Sequence, residues 1–497
     1  MANLQLEQQP KFDPFPAAQP TIFTVSDSTV VINQSQVKFI ANVYVHNDIS
    51  SIASYKVATL KTTPNNAGVG MFDLRSVIES FVNTDNLASG NTSSTAPVWS
   101  TAPTYKGASY STEKPFPIHL IDKYSFNDKT IRWLTIKFEI EYLNGGGDPN
   151  KVETDGDTLW TPNYLFYNGY LAHTDSLRGS TLSNNFGWDL EKAGTDIVGN
   201  EYNFIQNSST SCYLSTMPTT LYARSEDYGT LATFNGLTNA SFETGNTNDP
   251  AKRYFFTRII MYNSSGIQIA TFTIDNTVAN GGSASNITDN SNAKILFNGI
   301  YPANLINGST TFSSNFANTS YYTFQGFDNA SSAITKLYTV NIICDNDFGY
   351  EGIRLAWLNK FGAFDYYTFN TKSVRSVSTK KTQYTQLEGS WNNLTYLPQG
   401  YKGGVKNFRV NAKEKIKLST DFLSDLESVW IEGLLNSPEV YIINKSTAND
   451  DGGIINKYVE PVIVTTSSFT RKTVANDKII SYTIDIEKNK DLRTQAV

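Results

Sequence analysis

Two segments of this chain alternate apolar and polar residues so regularly that only a strand with one buried face accommodates them. In residues 37–45, Val37, Phe39, Ala41, Val43 and Val45 share one face, while Lys38, Asn42 and Tyr44 share the other. In residues 134–142, Leu134, Ile136, Phe138, Ile140 and Tyr142 point one way and Lys137, Glu139 and Glu141 the other. A helix would scatter each set around its axis, so period two fixes the secondary structure. The same pattern recurs at residues 254–262 and 267–274, joined by Asn263-Ser-Ser-Gly266, which reads as a hairpin. Later segments at 338–344, 440–443, 459–464 and 479–487 extend the strand reading to the C-terminal third.

Composition agrees with that reading. Tyr (28) and Phe (29) are abundant and only 17% of residues are charged, so Asn, Ser and Thr must supply the polar surface. Aromatic and β-branched residues fit a pleated, half-buried surface, and Asn, Gly and Ser make its turns. The chain therefore reads as soluble and all-β, with several β-sandwich-like domains and two short helices. One helix is expected at residues 74–81 behind Asp73 as N-cap. The other carries Phe422, Leu426, Val429 and Leu434, with Thr420 as N-cap and Pro438 past its end.

A length of 497 residues suggests about three domains. Residues 1–20, broken by Pro10, Pro14, Pro16 and Pro20, read as an extended N-terminal arm. Phe12 and Phe15 could anchor it on a neighbour, or it could pack on nothing. Residues 21–160 form the first β-domain and 161–337 a β-rich domain with long Asn/Ser loops. Residues 275–335 read as such loops, and residues 338–497 form a C-terminal domain with one helix.

No motif carries chemistry. His46, His119 and His173 are far apart and make no HxxxH or HExxH pattern. There is no nucleophile elbow, Walker A loop or dinucleotide fingerprint. The glycines at 145–147 lead into Asp148-Pro149 rather than a helix. Asp155-Gly-Asp157, Asp345-Asn-Asp347 and Asp450-Asp-Gly-Gly453 could offer oxygen ligands, but none completes a calcium loop, and Asp and Asn make ordinary turns. Cys212 and Cys344 form no CxxC pair. Catalytic, cofactor-binding and metal-binding residues are therefore expected to be absent, and the chain is read as a non-enzyme. A net charge of −6 argues against a general nucleic-acid or anionic-membrane binder. The cluster Lys413 to Lys417, interrupted by Glu414, reads as a solvated face. The first ten residues have neither the basic nor the apolar region of a secretory signal, which favours folding in the cytoplasm.

The aromatic run at residues 357–369 holds Trp357, Phe361, Phe364, Tyr366, Tyr367 and Phe369. These could fill a sandwich core, stack on sugars or line a subunit interface. Phe12, Phe15, Trp357, Phe364, Tyr366 and Tyr367 are the candidate interface residues.

That run, the segment 434–441, the strand at 458–464 and the ending Ile480-Ser-Tyr-Thr-Ile-Asp-Ile-Glu487 together resemble virion structural proteins of tailed bacteriophages, especially those infecting Bacteroidetes. The layout is similar to distal-tail or baseplate proteins, in which a β-sandwich ends in a strand feeding a ring contact. The resemblance covers about 150 residues and brings no catalytic motif. It implies a tail or baseplate subunit of the virion, assembled in host cytoplasm. Its partners would be its own copies in a homo-oligomeric ring and other virion proteins, with no nucleic acid, membrane or cofactor. The alternative is a receptor- or carbohydrate-binding tail protein. A glycan-degrading β-sandwich is the third possibility.

Overall fold

The computed structural model describes residues 4–10, 13–88, 117–121, 124–126, 129–143, 152–154, 156–171, 203–206, 208–236, 253–280, 283–286, 294–343, 349–389, 394–443, 459–468, 480–489 and 492–493. Phe12, His173, Cys344 and most carboxylates of the three acidic clusters lie outside them. The fold is mainly strands in several sheets, with a few short helices.

The chain divides into two compact units. Unit 1 comprises Met1–Cys344, Leu358–Tyr366 and Lys445–Asn456; unit 2 comprises Asp345–Trp357, Tyr367–Asn444 and Lys457–Val497. The expected boundary near residue 160 falls inside unit 1. There Tyr164–Tyr167 pairs antiparallel with Ile131–Leu143, so strands from both sides of that point share one sheet.

Unit 1 opens with a sandwich. Its larger sheet runs Phe15–Pro16, Tyr164–Tyr167, Ile131–Leu143, Ser35–His46, Lys56–Thr62. Its smaller sheet is Gln5–Gln8, Ile22–Ser26, Val69–Asp73. The two alternating segments of the sequence pair directly, with Phe39 opposite Ile140 and Ala41 opposite Phe138. Their apolar faces are buried with Phe23, Val25 and Phe72 from the smaller sheet; ring centroids of Phe23 and Phe72 lie 6.2 and 5.7 Å from that of Phe138. Gly70 is required here, because a Cβ would sit 2.4 Å from the Phe39 ring.

The N-terminal segment is woven into this sandwich. Phe15–Pro16 pairs in parallel with Phe166 and Tyr167, and Ala17 N–H donates to the Tyr167 carbonyl. The N-cap of the helix is Leu74 rather than the expected Asp73, and the helix is a single turn, Arg75–Ile78; Asp73 Oδ1 instead accepts from Arg75 N–H at 3.0 Å in the turn before it.

The rest of unit 1 has a five-stranded sheet ordered Thr220–Ala223, Tyr338–Ile342, Tyr321–Phe327, Phe256–Tyr262, Gln268–Asp275. It also has a three-stranded sheet, Thr230–Phe234, Ile295–Gly299, Tyr124–Phe126. The expected hairpin is present, with Asn263 Oδ1 accepting from Ser265 and Ile267 N–H and Gly266 at φ 74°. The loop reading of residues 275–335 needs correction. Ile295–Gly299 and Tyr321–Phe327 are strands, and Pro302–Gly308 and Thr310–Asn315 are helices. These strands are buried on both faces over much of their length, so they show no alternation.

Unit 2 is built on one sheet, in which Ile353–Leu358, Val440–Ile443, Val459–Val464, Thr483–Lys488, Gly404–Ser419 and Val374–Gln386 follow in order. The helix Asp425–Leu435 buries Trp430, Ile431 and Leu434. Its N-cap is Ser424 rather than Thr420. Ser424 accepts from Glu427 N–H, and the Glu427 carboxylate accepts from Ser424 N–H at 2.8 Å, a closed capping box. Thr420 instead accepts from Tyr482 N–H, and Phe422 is exposed outside the helix.

Candidate docking surface

The aromatic residues expected at an interface are mostly spent on the chain's own core. Phe15 is buried, with its ring centroid 6.3 Å from Tyr164 and 6.2 Å from Phe166. Phe364 and Tyr366 are buried around His119, whose Nδ1 lies 2.7 Å from the Tyr366 hydroxyl. Trp357 is buried with Trp430, centroids 5.4 Å apart. Tyr367 is half-buried, edge-on to Phe369 and Trp430. Only Tyr367 keeps surface to offer, and Phe12 lies outside the described residues.

The polar cluster most like a reaction centre is sealed inside unit 1. Tyr254 Oη lies 2.7 Å from Thr257 Oγ1 and 2.9 Å from Tyr213 Oη, and Tyr124 Oη donates to the Ile274 carbonyl at 2.7 Å. All three phenols are buried, and burial raises their pKa values above the ordinary tyrosine range. They hold their protons and tie two sheets together. Among the described residues, no group of three or more His, Cys, Asp or Glu is placed to hold a metal. None of the described helices is long and apolar enough to cross a membrane.

The accessible feature is a hairpin arm of unit 2, formed by Val374–Gln386 and Gly404–Ser419. Lys415 to Ser419 pair with the neighbouring strand Thr483–Lys488, and Asn411 and Ala412 with Leu492–Arg493. Gly404 to Val410 pair only with the arm's other strand. At roughly 3.3 Å per residue that free portion reaches about 20 Å. Nearly every residue of Val374–Gln386 is exposed. The tip and its approaches expose large apolar side chains: Tyr401 at 76%, Leu387 at 68% and Val405 at 65%, with Leu394 and Leu397 beside them.

The arm has two chemically different faces. Cross-strand partners share a face, so Ser376/Lys415, Ser378/Lys413, Lys380/Asn411 and Thr382/Arg409 line one side. After the irregularity at Thr382/Gln383, Tyr384/Lys406 continues it, and Phe408 reaches the Tyr384 ring at 6.5 Å. At the base, Glu487 takes Lys413 at 2.5 Å and Lys415 at 3.4 Å, and these contacts hold its carboxyl below the usual range. The opposite side begins with Ile416, buried in the sheet core, and carries Val377, Ala412 and Val410 outward, with Arg375, Glu414 and Lys381 among them. Lys413, Lys415 and Lys417 are exposed, as a solvated face requires, and the strand that carries them runs on into the arm. These strands have no apolar alternation to announce them. The readable signal was charge: residues 372–419 hold ten Lys and Arg against Glu388 and Glu414, a net +8 within a chain of net −6.

A second accessible surface lies on the five-stranded sheet of unit 1. Tyr222, Asn341, Tyr321 and Tyr262 follow one another across four strands. Tyr222 is 57% exposed, and the Tyr262 and Tyr321 rings stack at 4.8 Å. On the same face the Arg258 guanidinium lies 4.1 Å from the Phe327 ring centroid.

No family model and no curated protein matches the chain. Among solved structures, a mutant of Salmonella alpha-2-macroglobulin is similar at 6% identity and a TM-score of 0.17, with all of this chain covering 30% of that one. A likeness of that size carries no argument about fold or function.

Proposed function

We propose that this chain is a structural component of a bacteriophage virion, a tail or baseplate subunit that assembles through contacts between subunits. The virion setting is supported by the resemblance of the C-terminal segments to such proteins. Assembly is supported by one observation above the others, the hairpin arm. A two-stranded ribbon is marginal by itself in water, and this one exposes a group of large apolar side chains at its tip. Monomeric proteins seldom expose such a patch unless something docks there.

The test is the mass and shape of the purified full-length chain, by light scattering and negative-stain microscopy. A closed ring or discrete higher oligomer is expected at micromolar concentration. A persistent monomer, alone and with other tail proteins of its phage, would sink the proposal. Turnover of capsular glycan would overturn the non-enzyme reading.

The row Tyr222, Asn341, Tyr321 and Tyr262 favours the second reading, a receptor- or carbohydrate-binding tail protein, because aromatic rings among amides suit a glycan surface. Glycan-array binding that Tyr222→Ala and Tyr321→Ala abolish would raise it above the first.

A further inference from the structure

We infer that the cationic face of the hairpin arm docks on the acidic surface of a second copy of this chain. The inference rests on the assembly reading above and names its contact and its partner.

Charge segregation carries it. With +8 on residues 372–419 and −6 overall, the rest of the chain carries −14. The cations are sorted as well as concentrated. Lys380, Lys406, Arg409, Lys413, Lys415 and Lys417 lie on one face of the ribbon, and Arg375 and Lys381 on the other, where Arg375 is paired with Glu351 and Glu414; the first face holds neither of the ribbon's carboxylates, since Glu414 pairs across from Val377 and Glu388 lies in the tip. At the base, Glu487 already answers Lys413 and Lys415. Farther out, Lys380, Lys406 and Arg409 have no ion pair among the described residues; Lys406 Nζ donates to neutral oxygens, Gln386 Oε1 at 2.7 Å and Tyr401 O at 3.2 Å. The base of the arm therefore shows, inside one molecule, the contact that its distal half would make with another: a carboxylate laid against paired lysines.

Two features select the occupant. The apolar tip adjoining the cations, with Leu387, Leu394, Leu397 and Val405, calls for a protein surface that is both acidic and partly apolar. A nucleic acid would meet no partner for those side chains, and it would be repelled by the −14 on the rest of the chain. A second copy supplies that charge at the concentration at which the chain itself is present. The lysines also set the mode of docking. Lys380 and Lys381 on the edge strand discourage strand-to-strand addition, so the arm engages by its face rather than its edge.

The experiment is sedimentation of the full-length chain at about 50 and about 500 mM NaCl, with Debye lengths near 14 and 4 Å. The wild type is compared with the triple variant K380E/K406E/R409E and with alanine at the same three positions, and circular dichroism monitors the fold. The wild type is expected to assemble at low salt and to weaken at high salt. Alanine is expected to weaken self-association about tenfold, and charge reversal by more. If either variant assembles as tightly as the wild type, the arm's face is not the contact, and the assembly reading still stands. If the wild type assembles with no salt dependence, the electrostatic contact is overturned on its own. If the wild type is monomeric at both salts, the contact between copies is overturned, while the assembly reading falls only if the chain also stays monomeric with the other tail proteins of its phage. Salt-dependent binding of duplex DNA that the reversal abolishes, with assembly intact, would assign the face to nucleic acid and overturn the inference.

Discussion

Asp13 sits in surroundings that a carboxylate disfavours. It is buried in unit 1, and loss of hydration pushes its carboxyl up to about 8, against the pull of Leu165 N–H at 2.7 Å and of the Lys294 charge. The folded state thus keeps a proton that the unfolded chain releases near pH 4. Stability contributed by this site is full below pH 4 and is lost as the pH rises towards 8. Thermal melts between pH 5 and 8 are expected to show a declining midpoint in the wild type. Asp13→Asn, which keeps an acceptor for Leu165 without the charge, should flatten that decline; an unchanged slope would place its origin elsewhere. Ser424 offers a second residue-scale check. Ser424→Ala opens the capping box and should cost about 1 kcal/mol in denaturant unfolding. Thr420→Ala tests a different bond, the one to Tyr482 N–H. The capping box was readable in Ser424-x-x-Glu427, but Thr420 looked equally suitable, because nothing local reveals that its hydroxyl is engaged 62 positions away.

At the scale of elements, legibility followed burial. Strands with one wet face, such as Ser35–His46 and Ile131–Leu143, announce themselves by alternation. Strands buried on both faces, such as Ile295–Gly299, and strands exposed on both, such as Val374–Gln386, have nothing to alternate. The docking arm fell into the second class, so the most accessible element was the least visible in the sequence. The aromatic run at 357–369 misled for a related reason. Trp357, Phe364 and Tyr366 are as apolar as interface anchors and as core residues, and only the fold decides between the two. Joining Thr379 to Ala412 by Asn-Gly would remove the free part of the arm while leaving the ladder to Thr483–Lys488 intact. Unit 2 should then melt within a few degrees of the wild type, since most of the described residues removed are exposed or half-exposed, while assembly is lost. A large drop in melting temperature would make the arm a folding element rather than a docking one.

For the whole molecule, the division into two units has its own measurable consequence. Trp357→Ala empties a fully buried site beside Trp430 and is expected to cost about 3–5 kcal/mol. Hydrogen exchange should report that loss chiefly in unit 2, with slow amides of Ser35–His46 in unit 1 little changed; equal acceleration of both would mean that the chain unfolds as one cooperative block. The weave of the N-terminal segment bears on how the molecule is made. Phe15 and Pro16 find their strand partners at Phe166 and Tyr167, about 150 positions later in synthesis. At ~5–20 residues per second a ribosome needs roughly 8–30 s to cover that distance. Throughout that interval residues 15 and 16 wait while their place in the sheet does not yet exist, so this segment, made before the strands it joins, is among the last of its sandwich to be seated.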